Sequence, residues 1–201
     1  MLKMRQYKLR KQSESRGEQM KNEIKIVIGS WGSYNECNER ALGSSWLTLN
    51  DYNDWEEILD ELKKQGFELD GIDEELFVQD IENFPADGEN WDYVNPQELF
   101  ETLKKSGVLD DEEKYELMDA FCSIEGYREW ERLVDKYEDR WDDDIYLWRN
   151  YDWYDLGYEL LHEGNSIPEY LDNYIDYARY GEELSYDGFH ECDYGIIEIR
   201  R

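Results

Sequence analysis

Glu23-Ile24-Lys25-Ile26-Val27-Ile28 sets isoleucine on every second residue, the period of a strand with one buried face. Gly29, Gly32, Asn35 and Asn38 then break the pattern, and the spacing predicts a loop. A second strand is expected over Ser45–Leu49. Asn53 is placed to cap the helix that follows, with Glu56 three residues on completing a capping box. Trp55, Ile58, Leu59 and Leu62 recur at helical spacing until Gly66 stops the run. Glu75–Ile81 reads as a third strand. Strand, strand, helix, strand describes a small α+β unit with an antiparallel sheet and one helix.

The character of the chain changes after Phe84. Pro85–Asn90 collects Pro, Gly, Asp and Asn and reads as a loop or boundary. Beyond it helices dominate. Asn95 is an N-cap with Pro96 at the first helical position, Glu98 at the third and Gly107 just past the end. Asp110 is expected to cap a second helix bearing Tyr115, Met118 and Phe121. A third follows Gly126, with Tyr127, Trp130, Val134 and Tyr137 on one face. Trp141–Asp144 is read as an acidic turn, and a further helix spans Asp152 to Glu163 before Gly164. Pro168–Leu184 reads as one or two helical pieces broken near Asn173 and Gly181. Asp187-Gly188 turns the chain into a short hairpin of Phe189–Asp193 and Ile196–Arg200.

The charge is far from balanced. The 201 residues hold 51 Asp and Glu against 22 Lys and Arg, for a net −29. Residues 1–21 carry seven basic and two acidic side chains, a net +5, which leaves −34 on the other 180. A body this negative is repelled by nucleic acid and anionic membranes, whose binding needs Lys and Arg clusters. Disorder is not the explanation, because acidic disordered chains are poor in aromatics. This one has 8 Trp, 17 Tyr and 6 Phe. The basic head, residues 1–22, reads as a flexible arm, or as one lying along the acidic body. It lacks a secretory h-region or a membrane-spanning run, and Met20 is an alternative start. Cys37, Cys122 and Cys192 are widely spaced and odd in number, which fits a reducing cytoplasm. Carboxylates about 6 Å apart repel by roughly 0.7 kcal/mol even in water, so several thin cores in an elongated body cost less than a sphere.

Chemistry-bearing motifs are few. His162 and His190 belong to no HExxH pair, and no P-loop, GxGxxG or GxSxG occurs. His190-Glu191-Cys192-Asp193 holds ligand-type atoms, but consecutive strand residues point to opposite faces. Asp51-Tyr52-Asn53-Asp54-Trp55 fails as a calcium loop at its fifth position and lacks the following Gly. No residue stands in a catalytic pattern, and neither a metal nor a cofactor is expected. Paired carboxylates suited to glycoside hydrolysis are guaranteed somewhere by 51 acids, so a carbohydrate-active enzyme stands as a less favoured alternative.

A folded surface that is almost everywhere negative suits a basic channel built to take duplex of any sequence. Duplex DNA carries one negative charge per about 1.7 Å of axis, so a charge of −34 equals that of roughly 58 Å of duplex, about 17 base pairs. Carboxylates, being anionic acceptors, can stand where phosphates would. The candidate phosphate-mimicking acids are Glu56, Glu57, Asp60, Glu61, Asp110, Asp111, Glu112, Glu113, Asp142, Asp143, Asp144, Asp152, Asp155, Glu159, Glu169, Asp172, Asp176, Glu182 and Glu183.

Three stretches carry a resemblance. Ile26-Val27-Ile28-Gly29-Ser30-Trp31-Gly32-Ser33-Tyr34-Asn35-Glu36, then Gly43 and Trp46, is similar to a Y-V-A-N-L-G-K-Y-N-E-G…G-x-W pattern. Glu74-Glu75-Leu76-Phe77-Val78-Gln79-Asp80 is similar to an E-E-Y-x-x-x-D-Y strand. Leu156-Gly157-Tyr158, Glu163-Gly164 and the run from Ile167 to Gly181 are similar to the antirestriction motif I-P-x-x-L-x-x-Y-I-D-Y-x-A-Y-G-R-D-L. The matching motif positions are Ile167, Pro168, Leu171, Tyr174, Ile175, Asp176, Tyr177, Tyr180 and Gly181. Over residues 24–199 the chain therefore resembles the ArdA antirestriction family. Arg179 stands at the family's Ala, Glu182-Glu183 at its Arg-Asp, and Cys37 at the Gly of the first motif; the basic arm has no family counterpart.

The resemblance implies an elongated α+β protein of three small domains, dimeric and carried by mobile elements. The expected divisions are 23–92, α+β; 93–126, helical; and 127–201, mostly helical with a short hairpin. It implies a non-enzymatic DNA mimic that occupies the DNA site of type I restriction-modification enzymes and blocks cleavage and methylation. In the motif, Tyr170, Leu171, Tyr174, Ile175, Tyr177 and Tyr180 are expected to be mostly packing residues, with Pro168 and Gly181 at helix boundaries, so that the motif marks the fold and a dimer interface while the distributed acids form the mimic. A mimic aimed at another basic DNA-binding partner, such as a nucleoid protein, is the nearest alternative.

Overall fold

A computed structural model describes residues 23–84, 94–164 and 167–200. The expected basic arm and the Pro85–Asn90 boundary lie outside the described residues. Among those described there are two three-stranded antiparallel sheets and eight α-helices, an α+β fold.

The first sheet has the order β2-β1-β3, with β1 at Lys25–Ser30, β2 at Leu47–Thr48 and β3 at Leu76–Glu82. Ile24, Ile26 and Ile28 are fully buried, as their alternation predicts. The loop expected after Gly29 opens instead as a short helix, α1, at Trp31–Glu36. Ser30 caps it by accepting the Ser33 N–H. A Cβ on Gly32 would sit 1.9 Å from the Ile72 carbonyl oxygen, so the close approach requires glycine. Beneath lies Asp73, fully buried. It accepts from the Ser33 hydroxyl, takes the Glu68 N–H at 2.8 Å and meets Arg40 Nε at 2.8 Å. Burial raises the carboxyl's pKa, but the bonds from Ser33, Glu68 and Ser30 together with Arg40 outweigh it and hold the group below its ordinary range.

Helix α2, Trp55–Lys64, buries Trp55, Ile58 and Leu62 against this sheet's core. Its cap is Asp54, one residue later than expected; Glu57, not Glu56, reaches back, accepting the Asn53 N–H at 2.7 Å. Helix α3, Pro96–Ser106, has the expected Asn95 cap and a left-handed Gly107. Helix α4, Glu112–Glu125, is capped by Asp111 where Asp110 was expected. Helix α5, Tyr127–Tyr137, buries Tyr127, Trp130 and Val134. A turn over 138–144 follows.

The second sheet has the order β4-β6-β5: β4 at Ile145–Arg149, β5 at Phe189–Cys192 and β6 at Gly195–Ile199. The hairpin is as expected, but β4 is an addition to the sequence reading. Ile145, Ile197 and Ile199 join a core cluster that begins at Ile24 and runs through α2 to α5. Ile196 and Phe189, on the sheet's other face, pack with Leu156. Helices α6 (Trp153–Gly164), α7 (Glu169–Asp172) and α8 (Tyr177–Glu183) complete the chain on that side. No helix among the described residues is long and apolar enough to cross a membrane.

Candidate functional site

Two glycines govern the segment with the antirestriction-type motif. A Cβ on Gly157 of α6 would lie 2.1 Å from the Tyr177 carbonyl oxygen, and one on Gly181 of α8 would lie 1.8 Å from that of Trp153. The two helices thus touch backbone to backbone, the closeness that only glycine permits. Gly181 lies inside α8 and is buried, so it makes a helix crossing rather than the expected helix boundary.

Tyr177 fills the angle between the helices and is buried. Its ring packs edge-on to Tyr154 and Tyr158, with centroids 5.6 and 5.1 Å away. Its hydroxyl donates to Asp172 Oδ1. Burial, and then the carboxylate it faces, push the Tyr177 phenol up to about 12, so it remains a donor at neutral pH. His162 stacks on Tyr158 at 4.1 Å and sets Nε2 3.3 Å from Asp172 Oδ1. Asp172 is therefore a tie between α6, α7 and α8.

The rest of the motif faces outward. Pro168, Leu171, Tyr174 and Asp176 are exposed, Tyr174 at 85%, while Ile167, Ile175 and Tyr180 are half-buried. Tyr170 is 72% exposed. Tyr177 packs within the chain as expected, whereas Tyr170, Leu171 and Tyr174 do not pack within it. With the exposed faces of Tyr154 and Tyr158, they leave aromatic surface on this side of the molecule.

Of the nineteen candidate acids, fifteen are exposed; Glu61, Glu112, Asp142 and Asp172 are half-buried. Some also serve the fold. Asp111 and Asp176 cap α4 and α8, Asp152 accepts the Asp155 N–H at 2.8 Å, and Glu57 closes the start of α2. Placing acids at helix N-termini lets the helix dipole offset part of their mutual repulsion. Others meet cations: Asp60 with Lys63 at 3.0 Å, Glu61 with Lys64 at 3.1 Å, Asp110 with Lys104 at 3.7 Å and Glu183 with Arg179 at 3.5 Å.

The structure also brings together acids outside that set. Glu98 and Glu101 from α3 and Glu131 and Asp135 from α5 line one surface depression with Lys105 and Thr102. Their three- and four-residue spacings were visible in the sequence; that α3 and α5 lie side by side was not. The ligand-type residues of β5 do not converge. His190 and Cys192 share one face of the strand, Glu191 takes the other, and among the described residues no three such groups meet at one point. Asp51, Asn53 and Asp54 are spent on a single turn of 3-10 helix and on the start of α2.

Compared with known families, residues 26–198 match the profile described as Antirestriction protein (ArdA). No curated protein matches the chain significantly.

Proposed function

The chain belongs to the ArdA antirestriction family, and from that premise we propose that it is a non-enzymatic DNA mimic acting in the cytoplasm. It occupies the DNA-binding site of type I restriction-modification enzymes and so blocks both cleavage and methylation. The observation that carries this reading is the placement of charge. A net −34 rests on residues 22–201, fifteen of the nineteen candidate acids are exposed, and four of the nineteen, Glu57, Asp111, Asp152 and Asp176, are fixed at helix starts by their own hydrogen bonds. Such carboxylates offer a basic DNA channel what phosphates offer, without a base sequence to read. Exposed charges are individually worth under about 1 kcal/mol, so affinity is spread over many acids.

We further infer a homodimer formed through the face of α6, α7 and α8. The exposed Tyr170, Leu171 and Tyr174 are apolar surface of the kind that second copies cover.

The test is displacement of labelled duplex from the DNA-binding subunits of a type I enzyme. Purified protein should displace the duplex at low salt and inhibit methylation over the same concentration range. A protein that leaves the duplex bound at low ionic strength would overturn the reading.

A further inference from the structure

The seven residues Glu138-Asp139-Arg140-Trp141-Asp142-Asp143-Asp144 carry five carboxylates, three of them among the candidate acids. Five like charges on an unsupported turn would spread apart. This turn is held instead. Glu138 opens it at φ 58°, ψ −126°, a conformation that a non-glycine residue rarely adopts and that persists only where its surroundings impose it. Trp141 is buried, and its indole N–H donates to the Ser106 carbonyl at 3.0 Å, the end of α3. Lys114, in the first turn of α4, reaches the same carbonyl at 3.2 Å and the Asp139 carbonyl at 2.5 Å. Its ammonium also faces Asp142 Oδ1 at 3.8 Å. At the far end, Asp144 accepts the Arg200 N–H at 2.9 Å.

We propose that Lys114 is a positioning residue for the mimic surface. Its ammonium pins the backbone from which Asp142, Asp143 and Asp144 are presented to the partner's basic channel. The proposal rests on the DNA-mimic reading and deepens it: the acids work because they are held in place, not only because they are many. Groups ordered in the free protein need no ordering on binding, and that entropy is kept as affinity.

The sign of one substitution separates positioning from net charge. Lys114→Met removes a positive charge from a chain of −29; if total charge alone mattered, duplex displacement would become stronger. Positioning predicts the opposite, displacement weaker by about tenfold, with partial recovery in Lys114→Arg, which restores donors and charge. Arg132→Gln takes a cation from an exposed site on α5 and should leave displacement unchanged or slightly stronger. Amide hydrogen exchange supplies a readout that does not depend on the variant's folding. In the wild type, the Trp141, Asp143 and Ile145 amides, which bond within the turn, should already be protected before the partner is added.

Lys114→Met displacing duplex as well as wild type or better overturns the proposal. So do wild-type amides at 141–145 that become protected only on binding. If wild-type protein displaces no duplex at all, it is the mimic reading that fails, and the exchange result still reports whether the turn is held.

Discussion

A methyl group on Gly181 would sit 1.8 Å from the Trp153 carbonyl oxygen, and that oxygen belongs to backbone that cannot turn aside. Gly181→Ala should therefore push α6 and α8 apart and cost about 1–3 kcal/mol or more, lowering Tm by roughly 2–4 °C per kcal/mol for a chain of this size. Gly71→Ala is the control: its nearest neighbour would be 3.5 Å away, an ordinary contact, and Tm should barely move. Asp73 gives a second test, through pH. Its folded carboxyl titrates below the ordinary value of 3.8, so its contribution is full above that pH and disappears as pH falls through the lower, folded value. The Tm gap between wild type and Asp73→Asn should be constant above about pH 5 and narrow below about pH 4. A gap that stays open into strong acid would show that the buried carboxylate's charge plays no part.

At the scale of elements, α7 and its neighbours offer the clearest experiment. Leu171 and Tyr174 face out of the chain, so replacing both by Glu should leave the far-UV circular dichroism spectrum unchanged while shifting a sizing profile from dimer to monomer and removing any dependence of Tm on protein concentration. A profile that does not move would place any self-association elsewhere. Elements with local signals were legible in the sequence. The Asn95, Pro96 and Gly107 signals of α3 are all local, and the structure has them where they were expected. Caps slipped by one where two capping residues adjoin, Asn53-Asp54 and Asp110-Asp111, because the choice depends on which phase buries Trp55 and Tyr115. Strand β4 was missed for a reason of packing. Leu147 leans on the main core and Trp148 on the second cluster, so apolar residues occur on both faces and the alternation that marks a half-buried strand is absent. Helix α1 was missed because its glycine is explained by the carbonyl of Ile72, forty residues away. The motif segment was legible as a segment, but not the outward turn of Tyr170 and Tyr174, which no local periodicity records.

For the whole molecule, charge sets two opposite responses to salt. Repulsion among exposed carboxylates opposes the folded state, and it is screened within a Debye length of about 10 Å at 0.1 M. Adding sodium chloride should accordingly raise Tm. The same screening weakens displacement of duplex, because binding to a basic channel releases counterions in the manner of DNA itself. A titration from about 0.05 to 0.5 M should therefore give a more stable protein that competes less well. Stability and competition falling together would point to unfolding as the cause of lost competition, and both rising together would argue against an electrostatic partner.

The strand order β4-β6-β5 also bears on how the chain is made. The middle strand, β6, is synthesised after both strands that flank it. Until Gly195–Ile199 emerge, β4 and β5 have no hydrogen-bonding partner, and neither core receives the isoleucine it draws from β6. A nascent chain halted before Gly195 would hold two unpaired strand edges, the species most open to capture by a chaperone or to pairing with another copy. The second sheet can thus assemble only once translation has passed the hairpin, and both cores that share β6 wait on the same five residues.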